Sequence, residues 1–149
     1  KMRVLLPGVQ EIQTSENFDP SPRYVTRTHR PTRRSETLVA QMQQVARGAL
    51  AERNDVFYGE NKEPSWLEAI QAYSLDFHGR VTLPSNKNFQ LCFLNGESRS
   101  EEIMLQFGKV VSHEANSVAV YTLDFQWPIS PLQAFGIALS SCDRKLACA

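Results

Sequence analysis

The 149-residue chain balances 16 lysines and arginines against 16 aspartates and glutamates, so the molecule as a whole is no polycation and general affinity for nucleic acid is disfavoured. With 42% hydrophobic residues it has the material for a globular core of one-domain size. Cys92, Cys142 and Cys148 are odd in number and lack CxxC spacing, which favours reduced thiols in an intracellular protein and argues against a zinc site. The sequence holds no signal peptide and no transmembrane run, and it leaves a signal further upstream open.

Met2 to Leu6 reads as a first strand, and Tyr24 to Thr28 as a weaker one. Between Pro20 and Ser35 lie Arg23, Arg27, Arg30, Arg33 and Arg34, with His29 and no acidic residue. Pro20, Pro22 and Pro31 interrupt any helix there, so the stretch is expected to be a loop or an edge segment. From Glu36 to Ala51, Leu38, Met42, Val45, Ala46 and Leu50 recur at near-helical spacing, and Gly48 weakens the last turn. The cap is expected within Thr32 to Ser35, with Ser35 favoured by the acidic Glu36 in the first turn. Val56 to Tyr58 is another short strand candidate.

Four segments then alternate with period two. Tyr73, Leu75 and Phe77 alternate with Ser74, Asp76 and His78; Phe89, Leu91 and Phe93 alternate with Asn88, Gln90 and Cys92. Ile103, Leu105 and Phe107, then Tyr121, Leu123 and Phe125, repeat the pattern. Each predicts a half-buried strand with one apolar face. The links between them are short and carry turn residues, among them Gly79, Pro84-Ser85-Asn86 and Asn95-Gly96, so antiparallel neighbours joined by hairpins are expected.

The last segment is the most informative. Ser130 offers an N-cap hydroxyl and Pro131 a first helical residue whose missing N–H costs nothing. Leu132, Ala134, Phe135, Gly136, Ile137, Ala138 and Leu139 follow, with only Gln133 polar. A helix apolar all round is expected to be buried on every side, with Leu132, Phe135, Ile137 and Leu139 as its core positions. Phe135→Asp or Leu139→Asp is therefore expected to destroy the fold. The helix is too short for a membrane span, which needs about 20 apolar residues.

A sheet packed about 10 Å from that helix axis would trace a circle of roughly 63 Å. Strands about 4.8 Å apart and tilted about 40° each take roughly 6.3 Å of it, so closure needs about ten strands. The candidates in this chain are fewer, and the chain opens at Lys1 directly on a strand-like run. The expectation is the C-terminal portion, residues 1–149, of a single larger domain whose first strands lie upstream.

Several strings in order resemble the C-terminal half of the Tubby domain: Phe77-His78-Gly79-Arg80-Val81-Thr82, Asn88-Phe89-Gln90, Gln106-Phe107-Gly108-Lys109-Val110, Leu132-Gln133-Ala134-Phe135 and Lys145-Leu146-Ala147-Cys148. The likeness is dense from about Tyr73 to Cys148 and thin between Val9 and Trp66. It implies a mainly β fold, a closed antiparallel β-barrel around a central hydrophobic C-terminal helix, with this chain supplying roughly the second half. The chain departs from the family pattern at Pro84 and Asn86, at Cys142 and at Ala149, and the hairpin from Val111 to Val118 is longer than usual. Pro84 removes an N–H and points to a loop or edge.

The resemblance implies binding of phosphatidylinositol 4,5-bisphosphate by a membrane-tethered adaptor, cytoplasmic and peripheral at the plasma membrane, with cilium or nucleus as further sites. Its implied partners are the upstream half of the domain, a phosphoinositide head group and a membrane-receptor cargo; no cofactor or metal is implied. The family's principal head-group ligands, a lysine and an arginine two positions apart, lie upstream of Lys1.

From the residues themselves, the candidate phosphate contacts are Arg23, Arg27, Arg30, Arg33 and Arg34, because a guanidinium donates two parallel hydrogen bonds to phosphate. A solvated loop explains the same stretch without a ligand. Arg80 and Lys87 are further candidates, with turn residues that stay solvated or ion-paired as the plainer reading.

Catalysis is not expected. His29, His78 and His113 fall in predicted loops or turns, Asp76 and Asp124 on polar strand faces where solvation accounts for them, and no GxSxG, HExxH or glycine-rich phosphate loop occurs. A transcription regulator that holds DNA in a basic groove and a protein-only scaffold are the rival functions.

Overall fold

The computed structural model describes residues 2–12, 23–28, 30–46, 56–95, 98–113 and 118–142. Its main element is a five-stranded antiparallel sheet. The strands, in chain order, are β1 (Arg3–Pro7), β4 (Val56–Asn61), β7 (Phe89–Asn95), β8 (Ser98–His113) and β9 (Val118–Phe125), and they lie side by side in that same order. Two small ribbons accompany it: β2 (Val9–Ile12) with β3 (Arg23–Thr26), and β5 (Ser65–Leu67) with β6 (Ala72–Ser74). Among the described residues there are two α-helices, α1 (Leu38–Ala46) and α2 (Pro131–Cys142). The fold is mainly β with a curled, half-barrel sheet and one C-terminal helix against it.

The period-two pattern is realised in β7, β8 and β9, which form the expected meander. Phe89, Leu91, Phe93, Leu105 and Phe107 are buried with Ile129, Ala134, Ile137 and Ala138 from α2 and the turn before it. Phe107 stacks on Tyr121 at 5.0 Å between ring centroids, and Phe57 stacks on Phe93 at 5.4 Å. The alternation beginning at Tyr73 is not a full strand: β6 stops at Ser74, and residues 75–88 leave the ladder to cross the opposite face of the sheet.

This crossing segment changes the meaning of the polar face. It turns back at His78-Gly79, both with positive φ (51° and 76°), a turn in which glycine is unstrained and His78 is held by its amide on the Asp76 carboxylate at 2.7 Å. The segment then fastens to β8 where the β8–β9 register shifts between Lys109 and Val111. The Lys109 carbonyl accepts from the amides of Thr82 (3.2 Å) and Leu83 (3.0 Å), and the Val110 carbonyl from the Thr82 hydroxyl (2.8 Å). Asn88 bridges the two, donating to the Leu83 carbonyl and accepting from the Lys109 amide. Gly108 makes the close crossing possible, since a Cβ there would lie 2.3 Å from a Val81 methyl. Gln90, on the expected solvent face, is buried beneath the segment, and its amide donates to the Asp76 carbonyl at 2.7 Å.

Helix α2 begins as its sequence indicates. The Ser130 hydroxyl accepts from the Gln133 amide (3.3 Å) and the Gln133 side chain from the Ser130 amide (2.9 Å), a reciprocal capping box that gives the lone polar residue its role. The expectation of burial on every side is corrected. Ala134, Ile137 and Ala138 face the sheet, whereas Leu132, Phe135 and Leu139 are 81%, 57% and 53% exposed. At 100° per residue these three share one stripe, and a five-stranded sheet covers only the opposite one.

The α1 expectation is also adjusted. Thr37 is the cap, its hydroxyl accepting from the Ala40 amide at 3.2 Å, while Ser35 lies inside a short 3-10 turn over Arg34–Glu36. The buried position is Gln41, whose amide donates to the Glu36 carbonyl; Leu38 and Val39 are exposed. Residues 47–51 of the expected helix lie outside the described residues, as do residues 114–117 of the long hairpin.

Candidate functional site

Each arginine of the basic stretch is placed by an identifiable local force. Arg23 opens β3, whose ladder with β2 pairs Ile12 with Arg23 and Val9 with Thr26. The Arg27 amide extends that ribbon by donating to the Gly8 carbonyl at 2.7 Å. The chain bends at Thr32 and Arg33, where the Glu36 carboxylate gathers the Thr32 amide (2.9 Å), the Thr32 hydroxyl (2.8 Å) and the Arg33 amide (3.3 Å). That staple holds the Glu36 carboxylate on Thr32 and on the Arg33 amide. Arg27, Arg30, Arg33 and Arg34 are exposed, and no ion pair joins them to a carboxylate among the described residues. Over residues 23–28 and 30–35 the edge-or-loop expectation is met, while residues 20–22 and His29 lie outside the described residues.

Arg80 is engaged elsewhere. Its guanidinium forks onto Asp124 of β9, Nε to Oδ2 at 2.9 Å and Nη2 to Oδ1 at 2.7 Å. Its backbone carbonyl accepts from the Thr122 hydroxyl at 3.1 Å. Asp124 also accepts from Gln106 at 3.0 Å, and Gln106 in turn accepts from Gln90. The Arg80 hydrogen bonds are the largest cause of a lowered Asp124 pKa, opposed by desolvation and aided by Gln106 and the charge of Arg80. The reciprocal bonds raise the Arg80 pKa. The view that solvation alone accounts for Asp124 is therefore corrected: it is one end of a chain of polar contacts that ties the crossing segment to three strands. Lys87 is half-buried, with Nζ 5.8 Å above the Tyr121 ring.

Neither Arg80 nor Lys87 is brought beside the arginines of 23–34 by any contact among the described residues. Of the histidines, His78 is the turn residue expected, while His113 ends β8 rather than lying in a turn. Cys92 is buried and Cys142 is exposed; Cys148 is outside the described residues. No described helix is long and apolar enough to cross a membrane.

Two aromatic pairs stand at the surface, and alternation alone did not mark either. Trp66 of β5 meets Tyr73 of β6 edge-on at 5.2 Å, and Tyr24 of β3 meets Trp127, in the turn before α2, at 5.2 Å and 59°. The second pair joins the basic ribbon to the start of the C-terminal helix across a hundred residues of sequence.

Comparison with known proteins matches residues 1–144 to the model of the Tub family. Tubby protein homolog 1 of Caenorhabditis briggsae is 38% identical over 148 residues, covering 99% of this chain and 30% of its own length. Tubby-related protein 3 of Mus musculus is 38% identical over 148 residues, covering 99% of this chain and 26% of its own. Tubby-like F-box protein 3 of Arabidopsis thaliana is 41% identical over 119 residues. The chain thus spans less than a third of the length of these curated relatives. With the dense strings of residues 77–135 lying in the sheet, its crossing segment and α2, the chain belongs to the Tub family.

Proposed function

We propose that this chain is the C-terminal portion of a non-enzymatic, phosphoinositide-binding domain that tethers an adaptor to a membrane, with phosphatidylinositol 4,5-bisphosphate as the lipid and membrane-receptor traffic or signalling as the role. Tubby-like proteins are known for phosphoinositide binding, and family membership sets the direction of the reading. The observation that carries it is the exposed run Arg27, Arg30, Arg33 and Arg34, whose neighbouring carboxylate is occupied by backbone amides. Guanidinium groups that no ion pair joins to a carboxylate among the described residues suit phosphate oxygens better than a loop that needs only solubility.

The same proposal includes a closed barrel. Leu132, Phe135 and Leu139 form an apolar stripe that the five strands leave uncovered, and further strands of the same domain, upstream in the natural protein, would bury it. Arg80 serves in this reading as a fastener of the crossing segment rather than as a lipid contact.

The test is flotation of the natural full-length protein on vesicles containing phosphatidylinositol 4,5-bisphosphate or, at matched charge, phosphatidylserine, at about 150 mM salt, where screening acts within roughly 8 Å. Selective flotation with the phosphoinositide is expected. Equal flotation on both would reduce the mechanism to bulk charge, and flotation on neither would favour the DNA-binding or protein-scaffold alternatives.

A further inference from the structure

Tyr24 and Trp127 are 48% and 60% exposed, yet their rings lie 5.2 Å apart. A packed pair of large rings left in water is unusual unless something apolar meets it. Trp and Tyr combine an apolar body with a polar edge, which suits them to the boundary between lipid chains and head groups.

The surroundings of the two exposed aromatic pairs differ in charge. Trp66 and Tyr73 flank the exposed Glu68 along the chain, a charge that an anionic surface repels. Trp127 is followed by Pro128, Ile129, Ser130 and Pro131, with no acidic residue; of the carboxylates near it, Asp124 is paired with Arg80 and Glu102 accepts from the Gln126 side-chain amide at 2.9 Å. Tyr24 sits on the strand that leads into Arg27 and Arg30. Glu11, opposite Tyr24 in the ladder, is the single opposing charge there among the described residues of β2 and β3.

We propose that Tyr24 and Trp127 form an aromatic anchor that enters the interface of an anionic membrane, while Arg27 and Arg30, which follow Tyr24 along the chain, hold lipid phosphates. This rests on the membrane-tethering reading above and gives it a point of insertion. The β2–β3 ribbon and the start of α2, distant in sequence, become one contact surface through the ring pair.

The experiment uses the natural full-length protein with phosphatidylcholine vesicles carrying phosphatidylinositol 4,5-bisphosphate and brominated acyl chains, which quench a tryptophan only on insertion. Binding should quench part of the fluorescence, and Trp127→Phe should abolish that part while Trp66→Phe leaves it. Tyr24→Ala with Trp127→Ala should weaken vesicle binding about tenfold with an unchanged circular dichroism spectrum. Glu11→Gln, which removes a surface charge without touching the core, should tighten it a few-fold.

Vesicle binding with Trp127 unquenched and the double variant at full affinity would overturn the anchor and leave the phosphoinositide reading standing. No binding of the wild-type protein to any vesicle would overturn both. Quenching of Trp127 by a DNA duplex but not by vesicles would reassign the pair as a platform for stacked bases, against the proposal.

Discussion

Asp124 receives two hydrogen bonds from Arg80 and one from Gln106, and its folded pKa lies below the usual carboxylate range mainly because of the Arg80 bonds. A depressed acid stabilises the fold above its unfolded pKa, about 3.9, and loses that contribution as pH falls through the lower folded value. The raised pKa of Arg80 acts in the opposite sense and only in strong alkali, so the acid limb is the measurable one. Asp124→Asn should therefore lower the melting temperature at neutral pH, and the gap from wild type should close below about pH 4. A gap of constant size across that range would mean the pair does not tie down the crossing segment. Gly108 gives a second test at this scale. Gly108→Ala drives a Cβ into both Val81 methyls and should cost about 1–3 kcal/mol in a urea titration. Val81→Ala in the same chain should recover part of the loss, because it removes the two nearest methyls, at 2.3 and 2.6 Å, and leaves Val81 Cβ at 3.0 Å.

At the scale of elements, α2 has two apolar faces of unequal size. The small face, Ala134, Ile137 and Ala138, lies on the sheet; the large one, Leu132, Phe135 and Leu139, faces outward. Close packing explains the assignment, since alanines let the helix backbone approach the phenylalanines of β7 and β8. Ile137→Asp buries a carboxylate without a partner and should cost about 3 kcal/mol or more by denaturant unfolding. For Phe135→Asp the outcome depends on what covers the outer face. In the natural full-length protein it should be about as damaging as Ile137→Asp if further strands enclose the helix; a wild-type melt would remove the enclosure from the proposal.

Much of this element was legible in the sequence. Ser130, Pro131 and Gln133 carry their start signals locally, so the capping box follows from nearest neighbours. Which face would be buried was not legible, because that depends on how many strands reach the helix. The Tyr73 to His78 alternation misled for a related reason: period two records a preference for an extended chain with two faces, and here the extended chain crosses the sheet instead of joining its ladder. Thr37 rather than Ser35 caps α1 because Glu36 closes a 3-10 turn first, a choice made by side-chain hydrogen bonds one residue apart.

At the scale of the whole molecule, zero net charge hides a local asymmetry. Arg27, Arg30, Arg33 and Arg34 form an exposed cationic run within a neutral chain, so attraction to an anionic surface should be short-ranged and salt-sensitive. Replacing all four with glutamine should weaken binding to phosphoinositide vesicles by about fivefold per arginine and flatten its dependence on salt. Retained affinity with an unchanged salt slope would place the head-group contacts elsewhere on the domain. Arg80→Gln should act differently, lowering stability while leaving affinity of the folded protein intact, because its fork is committed to Asp124.

The sequence by itself determined the strands of the meander, the start of the last helix, the basic run and the family, because each rests on local pattern, capping chemistry or ordered motifs within short reach along the chain. Tertiary structure alone decided that Gln90 is buried, that Arg80 is spent on Asp124 and that Tyr24 meets Trp127. Those outcomes join residues dozens of positions apart, and a side chain's charge and polarity fix what it can bond to but not which distant partner the fold brings within reach.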